Sequence, residues 1–332
     1  MNSAFFSPEF SRAVDGAGKP VCVAIVSQDD CIVGIFPFHR QTHGVGVPVG
    51  GPISDFHGII GSVDTVLDCT ALLNACSLNA YDFNHLPATQ KAVASGTYLD
   101  TGSPYLDLGK GFEAYFVARS KSGTRELKNT ERKRRKMERE VGPVRFEMND
   151  KSDAAWQAML EWKNRSYARM GVPPIRKGAW VMKALENIRT TESTNFAGML
   201  STAYVGDRLA AVHFGMRSRT TWHWWFPTYE PKLDKFSPGL ILLLELARRA
   251  PDFGLDRIDL GRGDERYKAS FASATTPLCE GSVERPWSLA GGPRRARKLI
   301  HRVLKRYRRF DKLTDLQRRA FNRLLGAGRL PQ

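Results

Sequence analysis

Three apolar segments follow one another closely between residues 196 and 227, and they limit the folds that this chain can adopt. They are FAGMLSTAYV (196–205), RLAAVHFGMR (208–217) and TTWHWWFP (220–227). Two-residue breaks, Gly206-Asp207 and Ser218-Arg219, separate them, and such breaks are typical of β-hairpins. The sequence therefore predicts a three-stranded antiparallel meander.

Helical and strand patterns alternate around this meander. Helices are predicted at 153–170, 178–190 and 240–250, and strands at 143–148, 256–260 and 277–284. The meander leads into the apolar helix that starts at Leu240, and the N-terminus of such a helix can receive a phosphate. This order of elements predicts an α/β (α+β) fold.

A smaller α/β unit is predicted for the first part of the chain. Segments 21–27 and 31–38 form a hairpin, a Gly- and Pro-rich loop covers 44–58, and a helix (64–78) and a strand (81–86) follow. We therefore predict four regions: an N-terminal half (1–110), a basic helical connector (111–142), a C-terminal half (143–287) and a basic amphipathic helical tail (288–332).

Positive charge is concentrated in two of these regions. The formal net charge is +16, from 50 Lys and Arg against 34 Asp and Glu. Residues 291–332 hold fourteen basic and two acidic residues, and residues 121–140 hold nine basic and four acidic ones. The rest of the chain is close to neutral, so the basic total does not by itself indicate a nucleic-acid binder.

Several protein classes are not favoured by the sequence. The longest apolar run, Leu240–Leu244, is far shorter than the ~20 residues that span a bilayer. The first residues lack the pattern of a secretory signal. Five cysteines without a Cys-x-x-Cys pair indicate reduced thiols, and the histidines show no metal-ligand spacing, so we predict a cytoplasmic protein that needs no metal.

A resemblance to a known family rests on the run Gly261-Arg-Gly-Asp-Glu-Arg-Tyr-Lys268, and on Tyr229 followed by Ser237-Pro238-Gly239. The basic segment Arg132–Arg135 and the early FFSPEF and VGIFPFHR segments agree with it. These features resemble the BioF2-like (CelD-type) acetyltransferase family of the GNAT superfamily. The resemblance implies an acyl-CoA N-acyltransferase fold, made of two GNAT-like halves. It also implies acetyl-CoA or another acyl-CoA as co-substrate, and a small-molecule or saccharide acceptor such as an exopolysaccharide precursor.

The donor and acceptor sites have separate candidate residues. Ser237, Gly239 and Leu240 open the apolar helix, where free amides can hold the pyrophosphate of the cofactor; the alternative is an ordinary helix cap. The usual Gly-rich GNAT phosphate loop is absent. After the strand at 256–260, Asp264 or Glu265 is a candidate base, and three side chains are candidates for substrate binding: Arg262, Tyr267 and Lys268. The alternative is a salt-bridged loop.

Three aromatic or imidazole side chains near the meander are further candidates. Alternation places His213 on the face opposite Val212 and Phe214, either as a general base or as a hydrogen-bonded core histidine. Trp225 belongs to a cluster of aromatic residues that forms either a substrate platform or part of the core. Tyr229 is a candidate acid toward the departing thiolate.

The basic tail and the overall activity each leave alternatives open. The tail can dock on the body through its apolar stripe with its charges solvated, or bind an anionic membrane surface through residues 294–325; no RNA-binding signature is present, and nucleic acid is not the expected partner.

The leading activity is acyl transfer from acyl-CoA to an amine or hydroxyl. The alternatives are a Fem-like aminoacyl-tRNA-dependent transferase and a non-catalytic scaffold of a membrane polysaccharide machine.

Overall fold

A computed structural model describes residues 2–61, 67–171, 174, 175, 179–288 and 290–306. Ten α-helices lie within these residues: α1 Pro8–Asp15, α2 Cys69–Ala75, α3 Lys91–Ala94, α4 Phe112–Lys121, α5 Glu126–Glu140, α6 Asp153–Arg169, α7 Ala179–Thr190, α8 Pro238–Arg249, α9 Arg266–Phe271 and α10 Gly291–Arg306. The helix predicted over 64–78 is observed only at α2, and part of that prediction lies outside the described residues.

The described residues also form fourteen strands that belong to one mixed sheet. They are β1 Cys22–Gln28, β2 Cys31–Gln41, β3 Val45–Val47, β4 Ile60–Gly61, β5 Ala80–Pro87, β6 Thr97–Asp107, β7 Val144–Glu147, β8 Glu192–Ser193, β9 Phe196–Val205, β10 Arg208–Arg217, β11 Thr221–His223, β12 Phe226–Tyr229, β13 Arg257–Asp259 and β14 Ala274–Glu284. The main order is β1-β2-β3-β5-β14-β6-β13-β11-β10-β9-β7, and the predicted α/β class is confirmed.

The last described strand joins the two predicted halves. β14 lies between β5 and β6 and pairs antiparallel with both, while β6 pairs with β13. Strands from residues 80–107 and 257–284 thus share one hydrogen-bonded ladder. The division at residues 110, 142 and 287 stays a prediction.

The meander differs from its prediction in its third strand. β9 and β10 occupy the predicted segments, but the third segment is broken at Trp224-Trp225 into β11 and β12. The Trp224 amide donates to the Asp259 carbonyl (2.8 Å), and the Trp225 amide donates to His213 Nε2 (3.2 Å). Because these two amides leave the ladder with β10, the strand changes direction between them.

Helices cover both faces of the sheet around β10. Val212, Phe214 and Met216 pack with Trp156 of α6 on one face. On the other face, Ala211 packs with Leu242 and the neighbouring leucines of α8. Alternation along β10 decides which side chains meet which helix, because successive residues of a strand point to opposite faces.

The described part of the basic tail packs on the body through its charged side chains. Within its described side chains, α10 contacts the body through Arg294, Arg297 and Lys298, which pair with Asp82, Glu280 and Glu284. Leu299 and Ile300 are exposed. These two apolar side chains therefore face away from the body, because the neighbouring face of β5 and β14 presents carboxylates to the helix. The helix predicted around 314–325 lies outside the described residues.

Candidate active site

A gap opens in the sheet where β11 and β13 end. The two strands run parallel over Thr221–His223 and Arg257–Asp259. Beyond this point the chain continues on one side as β12, which pairs only with β10, and on the other as Leu260-Gly261. The carboxyl ends of parallel strands are common places for active-site groups. One such strand end lies on each side of this gap.

Asp55 lies beside this gap, although it comes from the first half of the chain. A Cβ added to Gly261 would lie 3.3 Å from Asp55 Oδ2, so the carboxylate is next to the backbone that follows β13. Gly261 has φ +70°, which favours glycine. Burial, and then the nearby Asp259 carboxylate, raise the pKa of Asp55 to about 7, while Lys268 and Lys163 act in the opposite direction. A carboxyl with this pKa can accept a proton near neutral pH.

Lys163 brings a second group with an altered pKa to the same place. It extends from α6, and its Nζ lies 3.4 Å from the carbonyl oxygen of Pro227 in β12. The Tyr167 ring centroid is 5.3 Å from this Nζ. Burial lowers the pKa of Lys163 to about 8, partly offset by the carboxylates of Glu265 and Asp55. An acid and a base with pKa values this close to neutrality are typical of catalytic sites.

The N-terminus of α8 lies beyond β12, close to the basic helix α5. Ser237 has left-handed backbone angles (φ 54°, ψ 54°), and its side chain does not cap the helix. Instead its Oγ accepts a hydrogen bond from Lys133 Nζ of α5 (2.8 Å). The amides of Leu240 and Ile241 donate to the Ser237 carbonyl, while no described residue accepts a hydrogen bond from the Gly239 amide. A free amide, a helix dipole and a lysine together favour an anion at this position.

The loop between β13 and α9 is held by ion pairs. Arg262 Nη1 pairs with Glu280 Oε2 (2.9 Å) and donates to the Asn84 carbonyl (3.1 Å). Lys268 is buried, and its Nζ donates to the carbonyls of Gly261 and Arg262 (3.2 Å each) and pairs with Glu265 (3.0 Å). This agrees with the salt-bridged alternative for Arg262, Glu265 and Lys268. Through its electrostatic effect on Asp55, Lys268 still belongs to the site.

The other two side chains of this loop differ in exposure. Asp264 is exposed. Tyr267 is half-buried, and burial raises its pKa above the ordinary value for tyrosine. The loop therefore brings Lys268 toward Asp55 and leaves the carboxylate of Asp264 in solvent.

His213 and Trp225 lie beside the gap, with His213 in the interior and Trp225 nearer the surface. His213 is fully buried and stacks on Trp224 with 4.3 Å between ring centroids. Burial lowers its pKa to about 3, so it stays neutral at physiological pH. This position fits the core-histidine alternative. Trp225 packs against Phe226 and Phe5 at 4.5 and 5.6 Å between ring centroids, and it is half-buried.

Tyr229 lies at the end of β12, next to the start of α8. Its hydroxyl donates to Asp234 Oδ1 (2.8 Å), and a Cβ added to Gly239 would lie 3.5 Å from its ring. Burial and the Asp234 carboxylate raise the pKa of Tyr229. It lies near the anion position at α8.

Part of the chain matches a known family model. Residues 124–269 match the family model described as Acetyltransferase (GNAT) domain. Over this segment the chain is similar to GNAT acetyltransferase domains. The matched segment includes α5, the meander, α8, Lys163 and Lys268, but not Asp55. No curated protein matches the chain in sequence.

Solved structures extend the likeness over most of the chain. The C-terminal domain (DUF2156) of a candidate lysylphosphatidylglycerol synthetase from Agrobacterium fabrum has a TM-score of 0.56 at 12% identity, covering 92% of each chain. FemX has a TM-score of 0.54 at 9% identity, covering 83% of this chain and 90% of that one. A conserved protein of unknown function from Bacteroides thetaiotaomicron has 0.53 at 10%, covering 84% and 91%. At these identities the likeness shows the fold alone; the BioF2-like branch stays a prediction.

Sequence reasoning missed two residues of the site. Asp55 lies in the loop predicted at 44–58. Because this loop has no apolar periodicity, the sequence does not distinguish Asp55 from the other loop residues. Lys163 had a signal. It continues the apolar stripe of α6 formed by Trp156, Met159, Leu160 and Tyr167, and a lysine on such a stripe indicates a buried charge with a special environment.

Proposed function

We propose that this chain transfers an acyl group from an acyl-CoA thioester to the amine of an acceptor, with Asp55 as the general base. The observation that carries the proposal is the Asp55 carboxyl beside Gly261, with a pKa of about 7. The amine loses a proton to Asp55 and attacks the thioester carbon directly. The C–S bond then breaks, and the thiolate takes a proton.

The donor is proposed to bind from α8 toward the gap. Lys133 and the Gly239 amide would hold the pyrophosphate of acyl-CoA, helped by the positive end of the helix dipole. The thioester would then reach the opening between β12 and Gly261. Acetyl-CoA is one such donor, and the acyl length is left open.

Lys163 is proposed as the group that returns the proton to the thiolate. Its pKa of about 8 lies close to that of an ordinary thiol, which is about 8.5. Proton transfer between groups of similar pKa has little thermodynamic cost, so the ammonium can neutralise the leaving group. Tyr229 is the alternative acid, on the α8 side of the gap.

The acceptor class rests on the family resemblance, which favours a sugar amine or another precursor of a surface polysaccharide. Hydroxyl acceptors are less suited to a carboxylate base with a pKa near 7, because the pKa gap between base and alcohol is much larger than between base and ammonium.

A thermal-shift screen with acyl-CoAs of different chain lengths tests the donor and the base together. We expect acyl-CoA to stabilise the wild type and Asp55→Asn alike, because Asp55 is not proposed to hold the donor. The rate of acyl transfer should fall by about 10²- to 10⁴-fold in Asp55→Asn. The matched Asp264→Asn variant should retain its acyl transfer. Flat melting curves would refute the donor and favour a non-catalytic scaffold. Full activity of Asp55→Asn would refute the base.

A second donor, charged tRNA, is favoured by one further observation. Five exposed basic side chains form a stripe along α5: Arg125, Lys128, Arg132, Arg135 and Arg139. A stripe of this kind suits a phosphate backbone. Tight tRNA binding that weakens steeply with salt, together with no stabilisation by acyl-CoA, would replace the leading proposal with this one.

A further inference from the structure

The tail helix α10 packs with its charged side inward. Arg294 donates from Nε and Nη2 to the two carboxylate oxygens of Asp82 (2.7 and 2.5 Å), and Lys298 pairs with Glu284 (2.8 Å). His301 stacks on Tyr98 with 4.7 Å between ring centroids. The body therefore holds this helix by ion pairs and by contacts with the Tyr98 ring.

The opposite side of α10 carries apolar side chains in solvent. Leu299 is 61% exposed, Ile300 is 50% exposed, and Trp287, in the turn before the helix, is 96% exposed. Ala296 and Arg295 are exposed on the same side. We call these four helix residues, together with the exposed Trp287 of the preceding turn, the outer surface of α10. An amphipathic helix on a globular body normally buries its apolar stripe, so the reversed packing leaves this stripe available to a partner.

We propose that the outer surface of α10 docks on the interfacial region of an anionic lipid bilayer. An amphipathic helix with basic flanks lies in the plane of the interface, with its apolar side chains among the upper acyl chains. Leu299, Ile300 and Trp287 supply the apolar contact, and tryptophan is favoured at this depth. Among the described residues no helix is long and apolar enough to cross a membrane, so contact at the interface is the mode that fits.

Charge identifies the lipid surface as the partner. Residues 291–332 contain fourteen basic and two acidic residues, and this excess attracts anionic headgroups. A second copy of the chain would bring an equal positive charge to the same surface, which opposes dimerisation there. The acids of the body near α10, Asp82, Glu280 and Glu284, are already paired with its inward cations.

Docking at α10 also brings the candidate active site toward the membrane. Glu280 accepts Arg297 of α10 at one carboxylate oxygen (3.2 Å) and Arg262 of the β13–α9 loop at the other (2.9 Å). The Glu280 carboxylate thus connects the membrane-facing helix to the loop that lies beside Asp55.

Vesicle sedimentation of the full chain tests the proposal. Vesicles contain phosphatidylcholine alone, or phosphatidylcholine with one-third phosphatidylglycerol. We expect binding to the anionic vesicles only, and at least about tenfold weaker binding for Leu299→Ser/Ile300→Ser, because two apolar side chains lose their contact with lipid. The matched control is Ile25→Thr/Ile35→Thr, which changes two exposed isoleucines that face each other across β1 and β2. It should bind as the wild type does.

Cysteine labelling gives a second measurement that does not depend on affinity. In a Cys31→Ser background, which removes the exposed native thiol, Leu299→Cys should react rapidly with a maleimide in buffer and slowly with anionic vesicles present. Three results would overturn the proposal: no binding to anionic vesicles, unchanged binding by Leu299→Ser/Ile300→Ser, or RNA binding without vesicle binding. Slow labelling of Leu299→Cys without lipid would also do so, because the helix face would then already be covered.

Discussion

At the scale of single residues, the site depends on two groups whose surroundings move their pKa values toward neutrality. The pKa of Asp55 is raised by burial to about 7, and that of Lys163 is lowered by burial to about 8. The proposed reaction needs Asp55 deprotonated and Lys163 protonated. Activity is therefore confined to a narrow pH range, with its maximum between the two values.

Removing Lys163 should change both limbs of the pH profile. In the wild type we expect kcat/KM to rise through about pH 7 and to fall above about pH 8. In Lys163→Met the fall at alkaline pH should disappear. The rise should move to higher pH, because the lost ammonium no longer favours the Asp55 carboxylate. Stopped assays of acyl transfer across the pH range measure this, and an unmoved acid limb would contradict the coupling.

Stability should report the raised pKa of Asp55 independently of activity. The folded state resists ionisation of this carboxyl, whose ordinary pKa is 3.8 and whose pKa here is about 7. The free energy of unfolding therefore falls as the pH rises from about 4 to about 7. Above this range the contribution of Asp55 no longer changes. Asp55→Asn should melt about 3 to 6 °C above the wild type at pH 8 and match it at pH 4. Exposed Asp264→Asn is the control, and equal shifts for both variants would refute the assignment.

At the scale of elements, the sequence predicted the features that depend on local patterns. It did not predict those that depend on tertiary contacts. Alternating apolar residues and two-residue turns placed β9 and β10, and the apolar run placed α8. The break at Trp224-Trp225 had no local signal, because it depends on acceptors at Asp259 and His213. Likewise the contact between α5 and the start of α8 follows from tertiary packing, which no local pattern predicts.

The contact between α5 and α8 gives a prediction about the donor. Lys133→Ala should raise KM for acyl-CoA by about tenfold or more with kcat little changed, because a charged hydrogen bond to phosphate is lost while the reacting groups stay in place. The matched control is Arg132→Ala, which removes the neighbouring exposed cation. Steady-state kinetics with varied acyl-CoA measures this. Equal KM values for the wild type and Lys133→Ala would place the pyrophosphate elsewhere.

At the scale of the whole molecule, one sheet contains strands from both predicted halves of the chain. The sequence showed two α/β units, since each has its own strands and helices. It did not show that β14 pairs with β5 and β6, because strand partners so distant in the chain leave no periodic pattern. For the same reason it did not place Asp55 beside Gly261.

This architecture predicts that the N-terminal half does not fold alone. A fragment of residues 1–142 lacks β14, so β5 and β6 lose the strand that pairs with both. We expect its circular dichroism to show no cooperative melting transition. Co-expression with residues 143–332 should restore a folded complex, since the second fragment supplies β14. A cooperative transition in the first fragment alone would contradict the prediction.

The position of β14 also has a consequence for the growing chain on the ribosome. β6 ends at Asp107 and β14 begins at Ala274, so β5 and β6 emerge long before the strand that separates them. At about 5 to 20 residues per second, that delay is roughly 10 to 30 seconds. Throughout this interval the edges of β5 and β6 that later pair with β14 are free to pair with wrong strands. We therefore expect chaperones to bind the first half of the nascent chain.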